Sequence, residues 1–178
     1  MPHRFVALLR GINVGRARRV AMADLRAILE SLGHTHVRTL LNSGNAVFTG
    51  ERAATDAMAA AIETALLQRI GVRAPVTVLA DATFHAIIDA DPLLDVATDP
   101  SRHLVAFLRD PRTARDTLAA VARDDWAPDA LALGPCAAYL WCPRGISQSA
   151  LAKAVDRALG ERVTMRNRAT VTKLRDLL

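Results

Sequence analysis

Short apolar runs alternate along this chain with stretches whose apolar residues recur every three or four positions. Arg4 to Arg10 encloses five apolar residues and is stopped by Gly11, the signature of a short buried strand. Met22, Leu25, Ile28, Leu29 and Leu32 then follow helical spacing up to Gly33. Val37 to Leu41 and Ala46 to Thr49 read as strands joined through Asn42-Ser43-Gly44-Asn45, four turn-forming residues and hence a hairpin. Met58, Ile62, Leu66 and Ile70 stripe a second helix ended by Gly71, and Pro75 to Ala80 reads as a fourth strand. The order is βαββαβ.

A short helix over Ala82 to Asp89 and an Asp/Pro-rich connector to Pro100 come next, and then the pattern recurs. His103 to Leu108 is a strand and Thr113 to Arg123 a helix. Ala130 to Leu133 and Ala137 to Trp141 form a pair around Gly134-Pro135. Ser147 to Leu159 is a helix, Val163 to Arg166 a strand, and Val171, Leu174 and Leu178 stripe a terminal helix. The fold class is therefore α+β, with two ferredoxin-like βαββαβ units arising as a tandem duplication and followed by a C-terminal helix. The divisions fall at residues 1–80, 81–101 and 102–178. Halves of about 75 residues are marginal alone, so the two are expected to pack together. A single long mixed sheet is the alternative topology.

Composition narrows the class. Hydrophobic residues make up 51% of the 178, enough for a core and too many for a disordered chain. No apolar stretch approaches the roughly 18 residues of a membrane span, and the N-terminus has no secretory pattern, so a cytoplasmic protein with no membrane association is expected. Cys136 and Cys142 on one extended segment would stand about 20 Å apart, beyond the roughly 7 Å a disulfide tolerates. Two free thiols follow.

Charge is unevenly spread. Residues 1–40 hold seven arginines against Asp24 and Glu30, so this stretch accounts for the whole net charge of +5. Residues 81–129 hold ten aspartates against five arginines, and 157–178 six basic residues against Glu161 and Asp176. Basic ends attract phosphates. Arg outnumbers Lys by 21 to 2, however, and a GC-rich genome produces that bias without selection for binding.

The segment Leu8-Leu9-Arg10-Gly11-Ile12-Asn13-Val14-Gly15 resembles the opening motif of a bacterial family known as domain of unknown function 1697. The likeness continues through Met22-Ala23-Asp24-Leu25, Asn42-Ser43-Gly44-Asn45 and Val105-Ala106-Phe107-Leu108. It returns at Arg166-Asn167, Thr170-Val171 and Lys173-Leu174, and so spans essentially the whole chain. The resemblance implies two ferredoxin-like parts and carries no established activity. The chain departs from the family at Arg16, where a second Gly is common, at Arg168, where an aromatic is common, and at Ala150, where a basic residue is usual.

Ferredoxin-like connectivity brings the loop after strand one and the turn before strand three to one end of the first sheet. Arg10, Asn13, Arg16, Arg18, Asn42, Ser43 and Asn45 should gather there, with Gly11, Gly15 and Gly44 permitting close backbone approach. Guanidinium groups beside amide donors suit a phosphate or carboxylate. The same residue types also build tight turns. A second cluster is expected at the opposite end of the second half, where Arg144, Gly145, Ser147 and Ser149 face Arg166, Asn167, Arg168, Thr170 and Lys173. A helix N-terminus favours an anion there, although Ser147 and Thr170 also suit plain N-caps.

Other chemistries lack their parts. No Gly-Lys-Ser/Thr follows Gly11 to Gly15, so it is not a P-loop, and the third Gly of a dinucleotide fingerprint is missing. Phe48 is the only aromatic expected on the third strand, too little for stacking on RNA. His34 and His36 have no third metal ligand, Cys136 and Cys142 no assignable His partner, and Asp124-Asp125 reads as a solvated helix end. No metal and no cofactor are expected, and catalytic residues are not assignable. The reading is a non-catalytic binding module for a phosphate-bearing small ligand, with nucleic acid as a weaker partner. The alternatives are a small enzyme acting on a phosphorylated or carboxylated substrate, with Arg10 and Arg166 stabilising charge and His34 or an unassigned Asp as base, and a structural protein with no ligand. Oligomeric state is not legible.

Overall fold

The computed structural model describes residues 2–15, 18–51 and 54–178, which form eight strands and six α-helices. In chain order these are β1 (His3–Leu9), α1 (Met22–Ser31), β2 (Thr35–Leu40), β3 (Asn45–Gly50), α2 (Thr55–Ile70), β4 (Val76–Ala80) and α3 (Asp81–Asp89). There follow β5 (His103–Leu108), α4 (Pro111–Val121), β6 (Ala130–Leu133), β7 (Ala137–Trp141), α5 (Ala150–Leu159), β8 (Val163–Asn167) and α6 (Arg168–Arg175). The strands make two four-stranded sheets, ordered β2-β3-β1-β4 and β6-β7-β5-β8. Every neighbouring pair is antiparallel. Both sheets thus carry the strand order of a ferredoxin-like unit, and no single long sheet forms. The compact units are Met1–His85 with Leu174–Leu178, and Ala86–Lys173.

In the first unit the alternation of β1 sends Phe5, Ala7 and Leu9 to the face covered by α1 and α2. There they meet Leu25, Ile28 and Leu29 from α1 and Ile62 and Leu66 from α2, all nearly inaccessible. Phe5 lies opposite Phe48 in the β1–β3 register, and their rings stack at 5.6 Å. Helix α2 ends at Gly71, whose left-handed φ of 67° lets its N–H return to Leu67. Strand β2 begins two residues earlier than the apolar pattern indicates and contains an irregularity between Thr35 and Arg38. His36, at φ 52°, sits in it. Leu41 leaves the strand in the left-handed region at φ 56°.

The second unit repeats the plan. Leu104, Ala106 and Leu108 of β5 pack with Leu118 of α4 and Leu151, Val155 and Leu159 of α5. Helix α4 starts at Pro111, two residues before the periodicity indicates, because Asp110 caps it by accepting from the Thr113 N–H and proline suits the first helical position. Helix α5 starts three residues later than expected. Ile146–Gln148 forms a separate 3-10 turn, and Ser149, rather than Ser147, is the N-cap. Asn167 caps α6 through the Thr170 N–H at 2.9 Å, so Thr170 is not the capping residue. Cys136 and Cys142 are free thiols, and no helix among the described residues is long and apolar enough to cross a membrane.

Two glycines at positive φ separate backbone conformation from crowding. A Cβ on Gly44 (φ 80°) would lie 2.6 Å from Leu9 Cβ and 2.8 Å from Ile12 Cδ1, whereas one on Gly71 (φ 67°) meets nothing within 4 Å. Gly71→Ala is therefore expected to cost about 1 kcal/mol. Gly44→Ala adds overpacking to the same backbone penalty and should cost about 2–4 kcal/mol. Urea denaturation of the two variants measures the difference, and equal midpoints would contradict it.

Candidate functional site

Strand β1 delivers the chain to a corner built by backbone hydrogen bonds. The Leu9 N–H reaches Gly44 O at 2.8 Å and the Arg10 N–H reaches Pro75 O at 2.9 Å. Asn13, at φ 56°, braces the loop beyond. Its Nδ2 donates to Val20 O at 2.9 Å and to Asn42 O at 2.6 Å, while its Oδ1 accepts from the Val20 N–H at 3.0 Å. The Asn13 N–H also meets Arg18 O at 3.0 Å. On the facing turn, buried Asn45 donates to Leu40 O and Ser43 Oγ, both at 2.9 Å. The loop from Arg10 and the turn from Asn42 are therefore together at one end of the first sheet. Asn13, Ser43 and Asn45 use these hydrogen bonds to hold that corner.

Three groups at the corner face outward in a different way. Gly11, Gly15 and Arg18 take left-handed φ values of 65°, 63° and 51°. An ideal Cβ on Gly11 would lie 3.3 Å from Arg18 Nη1, so the Arg18 guanidinium folds over the Gly11 backbone. Arg18 and Arg19 are exposed and have no carboxylate partner among the described residues. Arg10 is half-buried and engaged. Arg16 lies outside the described residues.

The second cluster also gathers at one end of its sheet. Arg102 links its two sides: its carbonyl accepts from Cys142 at 3.0 Å and its Nη1 reaches Pro143 O at 2.8 Å, while the neighbouring Pro100 O accepts from Ala169 at 3.2 Å. Arg144, Ser147 and Lys173 are exposed there, Gly145 adopts φ 102°, and Arg166 Nη1 donates to Met165 O. The N-terminus of α5 has an internal anion. Ser149 Oγ accepts from the Ala152 N–H at 2.9 Å and donates to Asp129 Oδ2 at 2.6 Å. A carboxylate of the chain itself thus stands where an external anion was expected.

Sequence reasoning missed a buried ionic network on the other face of the second sheet. Asp91 is fully buried, and its Oδ2 lies 2.9 Å from Arg168 Nη1 and 3.2 Å from His103 Nε2. The imidazole approach is too oblique for a hydrogen bond, leaving Nε2 without a hydrogen-bond partner. Arg168 Nη1 also donates to Ile88 O at 3.1 Å, and Asp91 Oδ1 accepts from the Leu93 N–H. Tyr139 donates to Ile87 O at 2.6 Å. Burial and then the nearby Asp91 charge push its phenol up to about 12. Together these bonds fasten residues 87–93 to the sheet. The only sequence signal was Arg168 standing where the resemblance places an aromatic residue. His34 packs on the Phe48 ring at 4.4 Å, and burial lowers its pKa. Among the described residues no three His, Cys, Asp or Glu side chains are placed to hold a metal.

Residues 2–139 match the family described as protein of unknown function (DUF1697). The chain belongs to that family. Its fold is similar to that of a conserved bacterial protein from Streptococcus pneumoniae, with a TM-score of 0.81 and 24% identity across 99% of both chains. At that identity the likeness speaks for the fold alone. No curated protein matches the chain.

Two measurements check the buried network of this family member. Removing the anion by Asp91→Asn strands the largely buried Arg168 guanidinium and should cost about 3–5 kcal/mol of unfolding free energy, and an unchanged urea midpoint would refute that role. The chain has one tyrosine, so alkaline absorbance reads Tyr139 alone. Its midpoint should move from near 12 in the folded protein to near its ordinary value of 10.0 in urea. Because the folded state keeps this proton longer than the unfolded chain, stability is expected to fall as pH rises between those two values.

Proposed function

We propose that the chain is a non-catalytic binding module for an anionic, phosphate-bearing small ligand, held at the corner formed by residues 10–15, 18–19 and 42–45. The observation that carries this reading is the Arg18 guanidinium lying over the Gly11 backbone, in a loop where Gly11, Gly15 and Arg18 are exposed at positive φ. A phosphate gains there from charge-assisted hydrogen bonds, which are about twice as strong as neutral ones. The braces supplied by Asn13 and Asn45 fix the loop before a ligand arrives, so less ordering entropy is lost on binding. The α5 N-terminus is a poorer host, because Asp129 already supplies its negative charge and would repel a phosphate.

Titration calorimetry with inorganic tripolyphosphate tests the reading. Arg18→Gln should weaken binding by about tenfold, in line with a charge-assisted bond of about 1.5–3 kcal/mol, and should leave the melting temperature within about a degree. Arg144→Gln at the other cluster should change nothing. Wild-type protein that ignores tripolyphosphate, or a loss that follows Arg144 instead of Arg18, would reject the assignment.

A further inference from the structure

The start of β1 and the start of α3 border a groove of about 430 Å³ lined by Pro2, His3, Arg4, Ala80, Asp81 and Ala82. The Asp81 carboxylate on its wall holds two side chains at once. Arg4 Nη2 lies 2.9 Å from Oδ2, and His85 Nδ1, one turn further along α3, lies 2.7 Å from Oδ1. Nδ1 also meets Asp81 O at 3.0 Å. Both groups are acceptors, so Nδ1 carries the ring proton and the lone pair of the neutral ring is on Nε2. Nε2 has no partner among the described residues, and His85 is 39% exposed. None of the other four histidines combines these features. His103 is buried, His34 packs on Phe48, and His3 and His36 have no carboxylate partner among the described residues. A surface pair at this helical spacing adds little stability. Its consequence is a fixed imidazole with one free nitrogen.

We propose that His85 Nε2 is a modification site that accepts a phosphoryl group from a small donor. Asp81 fixes the orientation and tautomer of the ring, as carboxylates do behind ligating imidazoles. Arg4 is 55% exposed, and a guanidinium has five donors, more than one carboxylate oxygen uses. The others suit the oxygens of an incoming phosphoryl group, which favours that group over a neutral acyl one. In the step the Nε2 lone pair attacks phosphorus. An N–P bond forms as the bond from phosphorus to the leaving group breaks, and the leaving group departs with the electron pair. With phosphoramidate as donor the leaving group is ammonia. The Nδ1 proton stays on the ring, facing Asp81. This site lies at the opposite end of β1 from the corner and stands independently of the anion-binding reading.

The test incubates the full chain with potassium phosphoramidate and follows it by intact-mass and peptide mass spectrometry. Wild type should gain one phosphoryl group, located on His85. His85→Gln should remove the gain and His36→Gln should keep it. Asp81→Asn should slow the gain by about tenfold or more, the usual effect of losing a carboxylate behind an imidazole, with little change in melting temperature. Arg4→Gln should slow the reaction with phosphoramidate while His85 still reacts at the wild-type rate with diethylpyrocarbonate, a neutral electrophile. That split separates recognition of the phosphoryl group from reactivity of the ring. A wild-type chain that gains nothing, or gains the group first on His3 or His36, would overturn the proposal. So would an Asp81→Asn chain that reacts as fast as wild type, or an Arg4→Gln chain slowed equally toward both reagents.

Discussion

The close approach of Gly44 to Leu9 is the constraint on which the corner at the end of the first sheet depends. The antiparallel register of β1 and β3 sets Leu8 opposite Asn45, and the next backbone bond, Leu9 N–H to Gly44 O, closes the end of the ladder. With 2.6 Å between a hypothetical Gly44 Cβ and Leu9 Cβ, only glycine permits that closure. The turn then lies within reach of Asn13, which joins the two loops by side-chain bonds no sheet could supply. Sheet pairing therefore fixes the place of the corner, and one asparagine fixes its shape. What is left exposed on it is a pair of arginines.

The two units share a strand order and differ in how they handle charge. In the first, exposed Arg18 and Arg19 have no carboxylate partner among the described residues. In the second, charges are met internally: Asp129 serves the α5 N-terminus through Ser149, and Asp91 holds Arg168 away from water. Burying such a pair is weak evidence for added stability. Its consequence is specificity of placement, since Asp91, Arg168 and Tyr139 fasten residues 87–93 to one face of the sheet. The acidic middle of the chain is thus partly structural, and its charge is not all available to a partner.

Much of the architecture was legible because it rests on local signals. The run from Phe5 to Leu9, the helical stripe ending at Gly33 and the Asn-Ser-Gly-Asn turn each name their own conformation, and the βαββαβ order follows. Element ends were less legible where a cap outweighs periodicity. Asp110 with Pro111 advances α4, and Ser149 delays α5, because one capping bond is worth about 1 kcal/mol and hydrophobic spacing does not record it. The corner's membership was legible from topology, but its division of labour was not: Asn13 and Asn45 look like ligand donors in sequence and act as braces in the fold. The buried network was illegible, since Asp91, His103, Tyr139 and Arg168 are joined only by pairing distant in sequence.

Amide chemical shifts of the isotopically labelled chain, followed while inorganic tripolyphosphate is added, report directly on which end of which sheet holds an anion. The account predicts saturable shifts centred on Gly11, Gly15, Arg18 and Gly44, with Ala150 to Lys153 unmoved. Shifts centred on the α5 N-terminus, or scattered over surface arginines without saturation, would contradict it.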